Sequence, residues 1–332
     1  MCAEPRSGAN SIHRLQLRLR KKRKNGELGM TTLEDKLTRY KAPSSNTEQD
    51  KQERAERMVR KAVEGWSGFD GISIRFLPKG SYKNNTNVRA DSDVDIAVIH
   101  KGFHYFNDDA LRPADKIARH PITSKHYDGA EFRAELEKAM RAAYGSDCDT
   151  SGSTAIEIAE NGGRVKADVV PSFEHRKYHY DTMGRIQYFE GTTTRRTNGE
   201  WVINYPEQQY ANGVAKNNRT GMRYKQMVRI LKRVENDLVA VGEIEALPSY
   251  FMECLVYCTP DGHFNHGGLT PLTDDITHII RHIWNQTKPG ASAEDWHEPN
   301  DIKPLFGPGQ KWSMEDAHEL TLKTWQNLGL DS

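Results

Sequence analysis

The sequence predicts an α+β protein: a sheet lobe up to about residue 205, a helical lobe after it, and a long early helix joining the two as a spine. Three observations carry this reading. Residues 45–66 repeat apolar side chains at helical spacing, short apolar runs bounded by turn residues recur between 72 and 170, and helical periodicity dominates from 205 onward.

At 332 residues the chain is long enough to fill two packed lobes. Lys plus Arg is 47 and Asp plus Glu is 46, so there is no global pull toward nucleic acid or an anionic membrane, and any polyanion affinity must be local. Hydrophobic residues at 36% with 9% aromatics argue against disorder throughout. No apolar run approaches the roughly 20 residues of a membrane span, so a soluble, cytoplasmic chain without membrane contact is expected. Cys2, Cys148, Cys254 and Cys258 are too sparse for a disulfide framework, which favours a reducing compartment. Cys254 and Cys258, with His263 and His266 beyond, invite a zinc reading, but the neighbours Phe251, Met252, Leu255 and Val256 mark a buried helix instead.

In chain order, residues 1–29 carry the basic run Arg18 to Lys24 and few apolar anchors. They read as a disordered extension, or as residues ahead of a true start at Met30. Ser45 and Glu48 are spaced as a capping box, and Ala55, Met58, Val59, Ala62, Val63 and Trp66 make one apolar stripe on the spine helix. A short strand over 72–77 leads into a turn at Gly80-Ser81. Asp91-Ser92-Asp93-Val94-Asp95 then opens the apolar strand Ile96 to Ile99. Alternate side chains of a strand share a face, so the three aspartates stand together. Such like charges repel unless a cation joins them, and a hard divalent ion with oxygen ligands suits them. Solvation of a strand end is the bland alternative.

Residues 101–127 show no assignable pattern. Asp128 caps a helix with apolar positions Phe132, Leu136, Ala139, Met140 and Ala143. Runs 155–158 and 164–170 flank Asn161-Gly162-Gly163 as a hairpin. The second run sets Asp168 opposite Val165, Ala167 and Val169, and Pro171 is expected to end it. Helices follow over 224–234, from 249 through 258, and over 272–285 and 313–328. The first carries Met227, Ile230, Leu231 and Val234 on its apolar face and is expected to expose Lys225, Arg229, Lys232 and Arg233 as a basic surface.

Two carboxylates two apart on a strand, with a third from a neighbouring strand, can hold two magnesium ions about 4 Å apart. One ion would activate a hydroxyl and the other would hold the phosphates of a nucleotide donor. Phosphoryl transfer asks a protein mainly for positioning and charge neutralisation. The Gly80-Ser81 turn fits, since glycine lets backbone N–H groups approach a phosphate and serine adds a hydroxyl.

Gly80-Ser81, then Asp93-Val94-Asp95 heading an apolar strand, then Asp168-Val169-Val170-Pro171, resemble the polymerase-beta-like nucleotidyltransferases. With Asn204-Tyr205-Pro206 and Lys216-Asn217 the set resembles, more narrowly, the bacterial cGAS/DncV-like nucleotidyltransferases (CD-NTases) over residues 30 to 330. The Glu174-His175-Arg176 and Lys177-Tyr178 that follow Pro171 are similar to the clade often called E.

The resemblance implies a catalytic lobe with the spine helix over 30–205 and an oligoadenylate-synthase-like helical lobe over 206–332. It implies that Asp93, Asp95 and Asp168 bind two Mg2+ ions, with Mn2+ able to substitute, and leaves Asp91 at the periphery. Gly80 and Ser81 match the phosphate turn, Lys225 the lysine that reaches the donor triphosphate, Ser249 a phosphate contact and Tyr250 the base-stacking tyrosine. The activity implied is synthesis of a cyclic dinucleotide or oligonucleotide from ATP, UTP, CTP or GTP, activating an effector protein in anti-phage defence. A linear-product nucleotidyltransferase acting on an RNA end is the competing enzymatic reading, and a binding module without catalysis is the non-enzymatic one. The zinc insertion of the animal synthase is absent, so activation by nucleic acid is not expected; a monomer is. For base choice the sequence offers Arg185 to Phe189 as candidates.

Overall fold

The computed structural model describes residues 32–88, 93–116, 128–264, 271–291 and 293–330. Asp91, the basic run before Met30 and His266 lie outside the described residues. Helix α1 (Leu33–Tyr40) is followed by α2 (Asn46–Glu64), strand β1 (Ile74–Lys79), the short helix α3 (Gly80–Asn84) and strand β2 (Val94–Asn107). Helix α4 (Gly129–Tyr144), strands β3 (Cys148–Asp149), β4 (Ile156–Ile158), β5 (Ala167–Tyr180), β6 (Ile186–Arg195) and β7 (Trp201–Asn204) complete the sheet lobe. Helices α5 (Pro206–Arg219), α6 (Arg223–Ala240), α7 (Ser249–Cys258), α8 (Leu272–Thr287) and α9 (Met314–Leu328) form the helical lobe.

The caps expected from the sequence form. Ser45 and Glu48 close a capping box on α2, and Asp128 accepts from the backbone N–H groups of Ala130 and Glu131 at the start of α4. Ala55, Val59 and Val63 of α2 and Phe132, Leu136 and Met140 of α4 are buried against Val94, Ile96, Val98, Ala167 and Val169 on one face of the sheet. Met58 and Ala143, expected in those stripes, are exposed, because each helix meets the sheet along a stripe narrower than its apolar pattern.

The sheet runs β1-β2-β5-β4-β3, with β6 added to the outer part of β5 and β7 to β6. β2 and β5 are parallel, and the other pairs are antiparallel. Pro171 does not end β5. Pairing with β4 stops at Val169 and pairing with β6 begins at Phe173, so on that side the proline sits at a handover where no ladder hydrogen bond is required of it. β1 begins and ends two residues later than expected, and Gly80-Ser81 opens a five-residue helix rather than a loose turn. Part of the stretch without a pattern, 101–107, is the far half of β2 beyond a register shift between His100 and His104.

A second core lies in the helical lobe, where Met227, Ile230, Leu231 and Val234 of α6 meet Phe251 and Leu255 of α7, Ile276 and Ile279 of α8 and Leu320 of α9. Leu37 of α1 is buried in this core, although α1 precedes the whole sheet lobe. The basic residues of α6 are not a surface. Arg229 donates to the carbonyls of Lys41 (2.6 Å) and Asn85 (2.7 Å), and Arg233 to those of Arg39 (3.1 Å), Tyr40 and Ala42 (3.0 Å). They fasten α6 to the α1–α2 linker and to the segment after α3, orienting one lobe on the other.

Candidate active site

Strand register assembles a row of charge that periodicity alone does not reveal. Lys79 pairs with Asp95, Asp95 with Asp168, and Asp168 with Glu157. Partners in register share a face about 5 Å apart, so an ammonium and three carboxylates cross β1, β2, β5 and β4 in one line. Asp93, just ahead of β2, stands on the same face as Asp95.

Lys166 sits among these acids. Its Nζ is 2.9 Å from Glu157, 3.4 Å from Asp93 and 3.7 Å from Asp168. The hydrogen bond to Glu157 holds its pKa above the ordinary lysine value. Burial raises the pKa of Asp95, with Lys79 opposing and Asp93 adding to the rise. Burial likewise pushes Asp168 up to about 6, against the pull of Lys166. Burial depresses Lys79. Asp168 Oδ1 is buried without a hydrogen-bond partner.

Gly80 abuts this row. Its φ is +71°, and a Cβ there would lie 2.1 Å from Asp95 Oδ2, so both the backbone and the close approach call for glycine. The carboxylates open into two adjoining chambers of about 470 and 240 Å³, which share Ser81, Asp95, Lys232 and Ser249. Asp93 and Asp168 line the larger, and Asn204, Tyr205, Tyr250 and Glu253 line the smaller. The cleft therefore lies between the sheet lobe and α6–α7.

Of the residues singled out by the sequence, Asp93, Asp95, Asp168, Gly80, Ser81, Ser249 and Tyr250 meet here. Ser249 is exposed on the lining as the first residue of α7, behind Pro248. The Tyr250 hydroxyl donates to Glu298 (3.2 Å), and its ring meets Trp312 edge-on at 6.2 Å. Lys225 does not line either chamber; its ammonium lies 5.7 Å from the centre of the Tyr210 ring. Lys232, two turns further along α6, lines both, and burial lowers its pKa. The Arg185 to Phe189 segment is also elsewhere. Ile186 pairs with Tyr180 at the far end of the β5–β6 hairpin, about 40 Å of strand from Asp168.

Glu253 had no place in the sequence reading. Buried on α7, it accepts from Asn84 (2.7 Å), Gln209 (3.1 Å) and Thr86 (2.9 Å), and Lys232 donates to the same Thr86 at 3.4 Å. It ties the end of α3, and so Ser81, to the helical lobe. A lone carboxylate inside the apolar run Phe251 to Val256 was the signal available.

The acids suit a hard divalent cation in donor type, and the buried Oδ1 of Asp168 has no hydrogen-bond partner and faces Lys166 Nζ at 3.7 Å. Among the described residues, no three His, Cys, Asp or Glu side chains close into a ready-made metal cage. Lys166 stands among Asp93, Glu157 and Asp168 in this conformation.

Residues 211–329 match the family described as the cGAS/DncV-like nucleotidyltransferase C-terminal helical domain. The chain is 38% identical over 299 residues to the cyclic dipyrimidine nucleotide synthase CdnE of Legionella pneumophila, covering 89% of this chain and 97% of that one. The chain belongs to the cGAS/DncV-like nucleotidyltransferases. The structure of the cyclic dinucleotide synthase CdnE of Elizabethkingia meningoseptica with GTP and Apcpp is similar, with TM-score 0.72 and 31% identity over 89% of this chain and 98% of that one. That of the Rhodothermus marinus CdnE c-UMP-AMP synthase with Apcpp and Upnpp gives TM-score 0.74 at 28% identity, covering 90% of this chain and 96% of that one. As a cGAS/DncV-like nucleotidyltransferase the chain is an enzyme of nucleotidyl transfer, and its sheet lobe and helical lobe are those of its relatives.

Proposed function

We propose that this protein joins two nucleoside triphosphates into a cyclic dinucleotide, releasing pyrophosphate at each of two steps. The observation that carries the proposal is the carboxylate row at the mouth of a cleft lined by Ser81, Lys232, Ser249 and Tyr250. Asp93, Asp95 and Asp168 would hold two Mg2+ ions, or Mn2+ in their place, which when bound lower the pKa of the attacking hydroxyl and neutralise the triphosphate. The chain's own residues orient the reactants. Ser81 and Ser249 offer hydroxyls to phosphate oxygens from opposite lobes, and Lys232 rather than Lys225 supplies the ammonium. Tyr250, held by Glu298, offers a ring to a base. In each step a sugar hydroxyl of one nucleotide bonds to the α-phosphorus of another while the bond to pyrophosphate breaks. The linear dinucleotide then turns over in the cleft and repeats the step on itself.

The signalling role follows from the same reading: a monomeric cytoplasmic enzyme whose product activates an effector protein in anti-phage defence. Among the described residues no helix is long and apolar enough to cross a membrane. Relatives at comparable distance are named for dipyrimidine and dipurine products, so the test offers all four triphosphates, labelled, singly and in pairs, with Mg2+ or Mn2+. A phosphatase-resistant product is expected. Asp93→Ala with Asp95→Ala should lower its yield by about 10³-fold or more while the protein stays folded. Undiminished product in that variant, or in EDTA, refutes the metal site; a product that phosphatase degrades supports linear transfer to an acceptor instead.

A further inference from the structure

The largest cavity described, about 740 Å³, is not the one that holds the carboxylates. It lies where β5, the turn between β6 and β7, and β7 meet residues 302–310 of the helical lobe, and its walls include His175, Lys177, Arg196, Trp201, Tyr205 and Lys303. Tyr205 is the single residue it shares with the two chambers of the carboxylate cleft. His175 and Lys177 stand at odd positions on β5, on the opposite face from Asp168, and His175 is about 23 Å of strand away. Both fall in the Glu174 to Tyr178 stretch, for which the nucleotidyl-transfer site has no use.

The charge in this cavity is one-sided and poorly matched. Three cations, Lys177, Arg196 and Lys303, face one carboxylate, Glu200. Glu200 is taken by Arg196 Nη1 at 2.8 Å. The Nε of Arg196 is nevertheless buried with no acceptor, and Nδ1 of His175 is likewise buried without a partner. Among the described residues Lys177 makes no ion pair, and Lys303 reaches Glu298 only at 3.5 Å and the Ile203 carbonyl at 3.4 Å. Ammonium and guanidinium groups with so few acceptors favour a ligand rich in acceptor oxygens. Trp201, 42% exposed, adds an aromatic surface beside these donors. The volume falls in the range of small-molecule sites.

We propose that this cavity is a second binding site, for a nucleoside phosphate, with its phosphate met by Lys177, Arg196 and Lys303 and its base against Trp201. A phosphate group takes several charge-assisted hydrogen bonds at once, which suits the three cationic side chains that line this cavity. The base accounts for an exposed tryptophan at a cationic mouth, which inorganic phosphate does not need.

The test is calorimetric titration of the full-length protein with AMP, UMP and inorganic pyrophosphate in EDTA, where the carboxylate site lacks its cations. Saturable binding of AMP or UMP is expected. Lys177→Ala with Lys303→Ala should weaken it tenfold or more, Trp201→Leu should weaken it while sparing pyrophosphate, and Lys232→Ala should leave it within twofold. No nucleotide binding at millimolar concentration, pyrophosphate binding alone, or loss in Lys232→Ala with retention in the double variant overturns the proposal. Photolabelling of the wild-type protein with 8-azido-AMP gives a readout that needs no variant. The label should fall on peptides containing 175–177 or 196–205, and label confined to Ser249 or Tyr250 overturns the proposal.

Discussion

Lys225 and Lys232 stand seven residues apart on α6, about 10 Å along its axis and nearly on the same side. Helical periodicity cannot choose between them, because a heptad returns a side chain to the same face. Only the position of α6 over the cleft decides, and it brings Lys232 to Ser81, Asp95 and Ser249. Lys232→Ala should raise the KM for nucleoside triphosphates by about tenfold or more, the worth of a charge-assisted hydrogen bond. Lys225→Ala should change it by less than threefold. Steady-state kinetics of the two variants test this, and the reverse order would return the role to Lys225. The aspartates were legible for the complementary reason: alternation on a strand is a local property, so Asp93 and Asp95 share a face in any fold that keeps the strand. Lys79 and Glu157 were not, since they join the row through the register of β1 and β4, which local sequence does not encode.

Among the elements, the best-read were those whose signals are local. The capping boxes of α2 and α4 form where Ser45, Glu48 and Asp128 place them. β5 was read short, because whether Pro171 interrupts a strand depends on whether a neighbouring strand needs a backbone donor at that position, and proline has none. Helix α3 was read as a turn, since five residues hold barely more than one helical period. What fixes α3 is tertiary: Asn84 and Thr86 at its end bond to Glu253 on α7. Glu253→Ala strands three buried or half-buried donors and should lower the free energy of unfolding by about 3 kcal/mol, measured by urea denaturation. An unchanged midpoint would show that α3 is held by other means.

At the scale of the molecule, each lobe carries a histidine that burial keeps neutral, His175 in the sheet lobe and His282 in the helical lobe, each depressed from 6.5 to about 4. His175 faces Lys177 and His104, and His282 faces His263 and Lys216, all of which disfavour a second positive charge. The unfolded chain binds these protons more readily than the folded one, so the stabilisation is complete above about pH 6.5 and is lost as pH falls toward 4. Asp95 and Asp168, whose carboxyls burial raises, act in the opposite sense over the same range, so the histidines are read by difference: between pH 7 and 4 the melting temperature should fall more steeply in the wild type than in His175→Asn with His282→Asn. A slope unchanged in the double variant would assign it to other groups. The placement of α1 bears on the order in which the molecule is made. Glu34 accepts from the backbone N–H of Leu272 (2.8 Å) and Thr273 (3.0 Å), and Lys36 donates to Asn327, 291 residues away. At about 5–20 residues per second of synthesis, α1 waits roughly 15–60 s for that partner. The sheet lobe, with a core of its own, is free to fold in the interval, so the nascent chain carries its carboxylates on one finished wall until α9 has been made and the helical lobe, with α1 packed into its core, completes the other.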